Sequence, residues 1–242
     1  MTSPRIIVLW STPRSVSTAF EKAFAQHPQV TVLHEPFTDC YYFGPARRSR
    51  RYGDCPGLGT AEGKDVVAAI EATASPIVFV KELAFQGLPY VDDDFLARIT
   101  NTFIVRHPAA VIASLSRLKP DATSDEFGFR PLKQLFDRTT GDLQQAPIVV
   151  DGDRFRADPA RVLRSFCAVI GVDFCDDMLT WDTGAIRPWL PHEAESQAKW
   201  HQTLESSTHI LPPVAPPDIP AEYEHLRADG FAAYRDLVAH AL

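Results

Sequence analysis

The chemistry in this chain begins at Trp10-Ser11-Thr12-Pro13-Arg14-Ser15-Val16-Ser17-Thr18-Ala19-Phe20, which joins a buried-strand pattern to an amphipathic-helix pattern. A helix start offers backbone N–H groups without intrahelical acceptors and the positive end of a dipole, so it attracts anions. Ser15, Ser17 and Thr18 add hydroxyl donors, and Arg14 adds a permanent charge on a planar fork. One hydroxyl suffices to cap a helix. Three hydroxyls and an arginine at the carboxyl end of a strand, where open parallel sheets bind ligands, predict an anion site. The loop has neither the glycines nor the lysine of the nucleotide-triphosphate signature G-x-x-x-x-G-K-[ST], so the anion is held by different chemistry.

The elements that must position this loop follow from hydrophobic periodicity. Continuous apolar runs at 5–10, 30–33, 77–80, 102–105 and 148–150 predict strands buried on both faces. Helical spacing falls between them at 17–26, 64–72, 92–98, 108–118, 131–143 and 158–170, with a last helix from about Ala221. The alternation predicts an α/β three-layer sandwich on a mostly parallel central sheet. Residues 36–63, which hold Arg47-Arg48-Ser49-Arg50-Arg51, and 181–220, which end in a proline-rich run, break the alternation and read as lid segments of one domain spanning 1–242. The run 47–51 reads first as a solvated basic stretch, and alternatively as one that draws an anionic acceptor.

A formal charge of -7 over 242 residues disfavours bulk nucleic-acid binding. No apolar stretch approaches membrane-span length. Four cysteines without C-x-x-C spacing point to free thiols, and the expectation is a cytoplasmic protein. His192 and His201 have no third ligand at useful spacing, so no metal is expected.

Pro13-Arg14-Ser15-Val16-Ser17-Thr18 resembles the 5′-phosphosulfate loop of sulfotransferases that use 3′-phosphoadenosine 5′-phosphosulfate (PAPS). A second match is the family's 3′-phosphate motif, an Arg at a strand end with a Ser eight residues later, at Arg106 and Ser114, with Pro108 opening the helix. A third is Ile148-Val149-Val150-Asp151 followed by Arg156-Ala157-Asp158-Pro159. The resemblance covers about residues 5–175 and implies a P-loop-like fold, PAPS as co-substrate, cofactor contacts from Arg14, Ser15, Val16, Ser17, Thr18, Ala19, Arg106 and Ser114, and a small-molecule alcohol or phenol as acceptor. The chain departs from the family pattern at Val16, where many members have Gly, and at Ala19, where many have Trp for the adenine. Phe20 is a substitute for that Trp, and Lys199 and Arg187 are stand-ins for a C-terminal basic loop.

On the acceptor side the resemblance gives Arg14 the task of stabilising the leaving phosphate. The segment after the third strand, Val80-Lys81-Glu82-Leu83, keeps the family's Lys at Lys81 but has Leu83 in place of its His. Other branches place a glutamate soon after the second strand, and Glu35 stands there. His34 and Glu82 are rival bases, and Glu35 paired with Arg14 or Lys81 as a structural ion bridge is the competing role. Strand alternation predicts that only one of His34 and Glu35 faces the cofactor. Trp181, Trp189 and Trp200 line an acceptor pocket or anchor their segment. The alternatives to sulfuryl transfer are a magnesium-dependent phosphotransferase and a non-catalytic nucleotide-binding protein.

Overall fold

The computed structural model describes residues 4–55, 57–190, 192 and 194–242, with the side chains of 194–199 excepted. The chain runs β1 (Arg5–Ser11), α1 (Ser17–Phe24), β2 (Val30–His34), α2 (Thr38–Tyr42), α3 (Gly63–Glu71), β3 (Ile77–Leu83), α4 (Ala84–Gly87), α5 (Asp93–Arg98) and β4 (Thr100–Val105). It continues through α6 (Pro108–Leu118), α7 (Phe129–Asp137), β5 (Val149–Asp151), α8 (Gly152–Ala157), α9 (Pro159–Ile170), α10 (Ala194–Glu205) and α11 (Arg227–Val238).

The five strands form one sheet in the order β2-β3-β1-β4-β5, every pair parallel. Alternate residues of each strand enter opposite cores, as burial on both faces requires. Ile7, Leu9, Phe79, Ile104 and Val150 pack with Phe20 and Phe24 of α1 and Leu163 and Phe166 of α9. Val8, Trp10, Val80, Phe103 and Val149 pack with Phe95 of α5, Leu135 of α7 and Leu237 of α11. The result is a three-layer, P-loop-like α/β fold.

Helix starts follow local chemistry. Asp92 caps α5 through Phe95 N at 2.8 Å, and Asp158 caps α9 through Arg161 N with Pro159 in its first turn. Gly171, at φ 66°, ends α9 in the left-handed conformation.

The structure differs from the sequence reading in several places. The helix expected over 131–143 ends at Asp137 and continues as a wider turn over Arg138–Asp142. The helix placed from Ala221 begins as a 3-10 turn, Ala221–Leu226, before α11. The lid segments contain helices that periodicity did not reveal, α2 within 36–63 and α10 within 181–220. Arg51 is no solvated residue: it donates to Glu126, to Asp121 and to the Asp121 carbonyl, tying 36–63 to the loop after α6.

Candidate active site

The loop after β1 is held in an unusual backbone. Arg14 and Val16 have φ of 63° and 73°, in the left-handed region that β-branched residues avoid. Val16 therefore stands at the position where the family motif carries Gly for a backbone reason, and it keeps the glycine conformation. Gly152 makes that possible from the other side. A Cβ there would lie 2.6 Å from Ser15 O and 3.2 Å from Val105 O, so only glycine lets α8 approach this closely. The start of α1 has no side-chain cap, which leaves its first N–H groups available to a ligand.

The predicted loop residues divide. Ser15 is fully buried and its hydroxyl donates to Thr12 O at 2.8 Å, so it braces the loop from inside. Ser17, Thr18 and Arg14 line two adjoining clefts, of about 590 and 190 Å³, and Val16 and Ala19 line the smaller. Arg14 donates to Ser114 Oγ at 3.0 Å and to Trp200 O at 2.8 Å, and Arg106 donates to Arg14 O at 3.1 Å. The two motifs are thus joined in one hydrogen-bonded network that borders both clefts. Among the described residues Arg14 has no carboxylate partner; its acceptors are neutral. Burial, followed by the charges of Arg106 and Arg117, lowers its pKa to about 10. An anion would relieve that strain directly.

Arg106 is also ion-paired to Asp153 at 3.2 Å, a carboxylate that accepts from His107 N as well. It still lines the smaller cleft, with Arg156, His209 and Trp200. Arg156, quoted in the third match but given no site role there, joins the basic cluster from the short helix α8, which periodicity missed. Arg187, one of the suggested stand-ins, instead lies over the Trp189 ring at 4.9 Å, and the Lys199 side chain is outside the described residues. Phe20 cannot hold adenine: it is fully buried between Phe24, Phe155 and Phe166.

The larger cleft brings Glu35 and Lys81 against the loop. Glu35 follows β2 with φ 44° and its N–H bonds Lys81 O at 2.8 Å. That left-handed residue ends the strand; Glu35 lines the larger cleft, whereas His34 is buried beside it with Nε2 3.8 Å from Glu35 Oε1. Lys81 donates a short hydrogen bond to Glu35 Oε1, with the two side chains 2% and 11% exposed. Burial raises the Glu35 carboxyl, but Lys81 and His34, the Lys81 hydrogen bond and His201 outweigh it and hold the pKa at about 2. Glu82, next along β3, points to the other face. It is fully buried, accepts from Phe37 N at 2.9 Å and Leu83 N at 2.7 Å, and is pushed up to about 8 by burial and then by Glu35. Glu82 is a brace for the segment after Glu35, not a group facing the cleft.

Aromatic walls from Tyr42, Phe43, Tyr52 and Phe85 enclose the rest of the larger cleft, with Thr38 and Gln86 hydrogen-bonded at 3.0 Å on its lining. Of the three tryptophans, Trp181 anchors its segment in the core, Trp189 stacks on His201 and Trp200 borders both clefts. Among the described residues no group of three or more His, Cys, Asp or Glu is placed to hold a metal ion, and no helix is long and apolar enough to cross a membrane.

The parallel sheet, with an uncapped helix start, an arginine cluster and a carboxylate–lysine pair at its carboxyl ends, has a P-loop-like α/β fold. The chain belongs to the sulfotransferase domain family, whose model matches residues 5–241. Its fold is that of the sulfotransferase domain of the Synechococcus PCC 7002 olefin synthase (18% identity, TM-score 0.51, 96% of each chain). It is equally that of a sulfotransferase from Alicyclobacillus acidocaldarius (14%, TM-score 0.51, 86% of this chain and 98% of that one). Mouse sulfotransferase SULT7A1, solved complexed with PAP, aligns over 97% of this chain and 84% of its own at 10% identity and TM-score 0.50. Two Arabidopsis thaliana proteins named branched-chain-amino-acid aminotransferase-like protein 2 and 1 are 26% and 25% identical over 86% and 99% of this chain. The chain spans only 36% and 43% of their lengths, so their designation is not carried to it.

Proposed function

We propose that the protein transfers a sulfuryl group from PAPS to the hydroxyl of a small alcohol or phenol, releasing adenosine 3′,5′-bisphosphate (PAP). The observation that carries this reading is the half-buried Arg14, bonded among the described residues to neutral acceptors and flanked by Arg106 and Arg117. PAPS has anions at both ends, and residues of the right chemistry are present for both. The α1 start with Ser17, Thr18 and Arg14 suits the 5′ end, and Arg106, Ser114 and Arg156 suit the 3′ end.

PAPS supplies the activated sulfuryl group. The residues supply position, charge and a proton acceptor. Arg14 steadies negative charge growing on the leaving phosphate, a contribution of about 3–4 kcal/mol for one well-placed donor. Glu35 takes the acceptor's proton. In the free chain Lys81 masks that carboxylate; drawn toward the phosphosulfate, Lys81 leaves Glu35 more basic and adds its own charge to the transferring group. The aromatic walls favour an apolar acceptor body, and Glu126, the buried carboxylate among them, is already neutralised by Lys119 and Arg51. Four free cysteines support a cytoplasmic location.

Incubation with radiolabelled PAPS and a panel of phenols and alcohols, with magnesium ATP in parallel, tests the assignment. Label in an organic sulfate supports it. Transfer from ATP alone would replace it with a phosphotransferase, and PAP binding without transfer would leave a binding protein.

A further inference from the structure

Behind Glu35 lies a buried pair that the proposed reaction has not yet used. Glu21, one turn into α1, is 0% exposed, and both its carboxylate oxygens lie on His34 Nδ1, at 3.0 and 2.8 Å. Among the described residues it has no lysine or arginine partner. A carboxylate buried this completely is tolerated because the imidazole N–H satisfies it. It thereby fixes where the His34 proton sits, on Nδ1.

The other ring nitrogen, His34 Nε2, is buried, has no hydrogen-bond partner among the described residues, and lies 3.8 Å from Glu35 Oε1. The 3.8 Å gap is one that a small side-chain movement closes into a direct hydrogen bond between Nε2 and Glu35. Among the described residues, Lys81 is the register partner of His34 on β3, and the rings of Trp189 and His201 each lie 5.6 Å from its ring. Burial, and then His34 itself, lower His201 to about 3, so it is neutral at pH 7 and adds no charge.

We propose that His34 is the onward proton acceptor for Glu35, held in the required tautomer by Glu21. This rests on Glu35 being the base. The acceptor O–H bond breaks and its electron pair stays on oxygen to form the new O–S bond, while the S–O bond to the 5′-phosphate breaks with its pair leaving on the phosphate of PAP; the proton passes to Glu35. Glu35 then closes on Nε2 and hands the proton over, which restores its carboxylate and leaves an imidazolium between two carboxylates. His34 acts through Glu35 and is a positioning residue, whereas Glu35 is the catalytic one.

Nitrogen-15 spectra of the histidine side chains, with His34 assigned by its loss in His34→Asn, test the proposal without any acceptor. At pH 7 the free protein should show His34 protonated on Nδ1 and bare on Nε2. In Glu21→Gln the amide can donate to Nδ1, so the proton should move to Nε2. An imidazolium at pH 7, or a wild-type Nε2–H tautomer, overturns the relay. The kinetic counterpart uses PAPS with 2-naphthol as acceptor. His34→Asn keeps an amide donor toward Glu21 and lacks the imine nitrogen. It and Glu21→Gln should each lower kcat by about 10²-fold, with KM for PAPS and the PAP-induced Tm shift unchanged. Full kcat in His34→Asn beside a dead Glu35→Gln removes the relay and leaves Glu35 as base; full kcat in Glu35→Gln removes the base assignment and the relay with it.

Discussion

Replacing Glu35 by Gln unmasks a cost that the structure allows to be sized. The Glu35 carboxyl sits at about 2 against an ordinary 4.5, although burial alone would raise it. A depression of that size is a contribution of about 3 kcal/mol from its partners. The sign follows from the direction: the contribution is complete above pH 4.5 and is lost as pH falls from there to about 2. The amide also leaves the Lys81 ammonium, 2% exposed, without its counter-charge. Breaking a buried pair from one side costs about 3–5 kcal/mol. For a chain of this length that lowers Tm by roughly 6–20 °C at pH 7. The deficit should shrink on acidification, because the wild type loses the same contribution below pH 4.5. PAP, whose 5′-phosphate offers Lys81 an alternative anion, should raise Tm more in Glu35→Gln than in the wild type. Thermal unfolding from pH 3 to 8, with and without PAP, measures all three effects. A Tm loss under about 3 °C at pH 7, roughly 1 kcal/mol, with an unchanged acid limb would refute the reasoning.

Three further changes have defined outcomes. Glu82, raised to about 8, contributes stability that is present below pH 4.5 and lost as pH rises through about 8. Urea midpoints of Glu82→Gln should therefore vary less between pH 5 and 9 than those of the wild type; parallel curves would contradict this. Gly152→Ala places a methyl 2.6 Å from Ser15 O and should cost about 1–3 kcal/mol together with PAP affinity, read by denaturation and calorimetry. Val16→Gly should be more stable than Val16→Ala by about 1–2 kcal/mol, since alanine keeps the Cβ that the left-handed backbone penalises.

The parts of the fold governed by long-range-independent signals were legible in the sequence. Apolar runs located all five strands, and Pro108 and Asp158-Pro159 marked two helix starts as the structure has them. The short helices α2, α4 and α8 were not legible, because four to six residues complete too little of a helical period. That loss hid the place of Arg156 beside Arg106, which depends on where α8 packs. The loop after β1 was legible as an anion site, yet the division of labour within it was not. Ser15 and Ser17 look alike in sequence; the backbone turn at Arg14 and Val16 sends one inward and one to the clefts. Strand alternation set Glu35 against His34, and of the two it is Glu35 that lines the larger cleft. Glu21 gave no signal, since a glutamate on an otherwise apolar helix face acquires meaning only once β2 is known to lie against it.

The central claim is that Arg14 and its neighbours form a site for a doubly anionic nucleotide. Calorimetric titration of PAP into the wild type and into Arg14→Ala, each with and without magnesium, addresses it most directly. The account predicts magnesium-independent binding that weakens by about 10- to 100-fold in Arg14→Ala, the loss of charge-assisted hydrogen bonds worth about 1.5–3 kcal/mol. No PAP binding by the wild type, or equal affinity in Arg14→Ala, would contradict it.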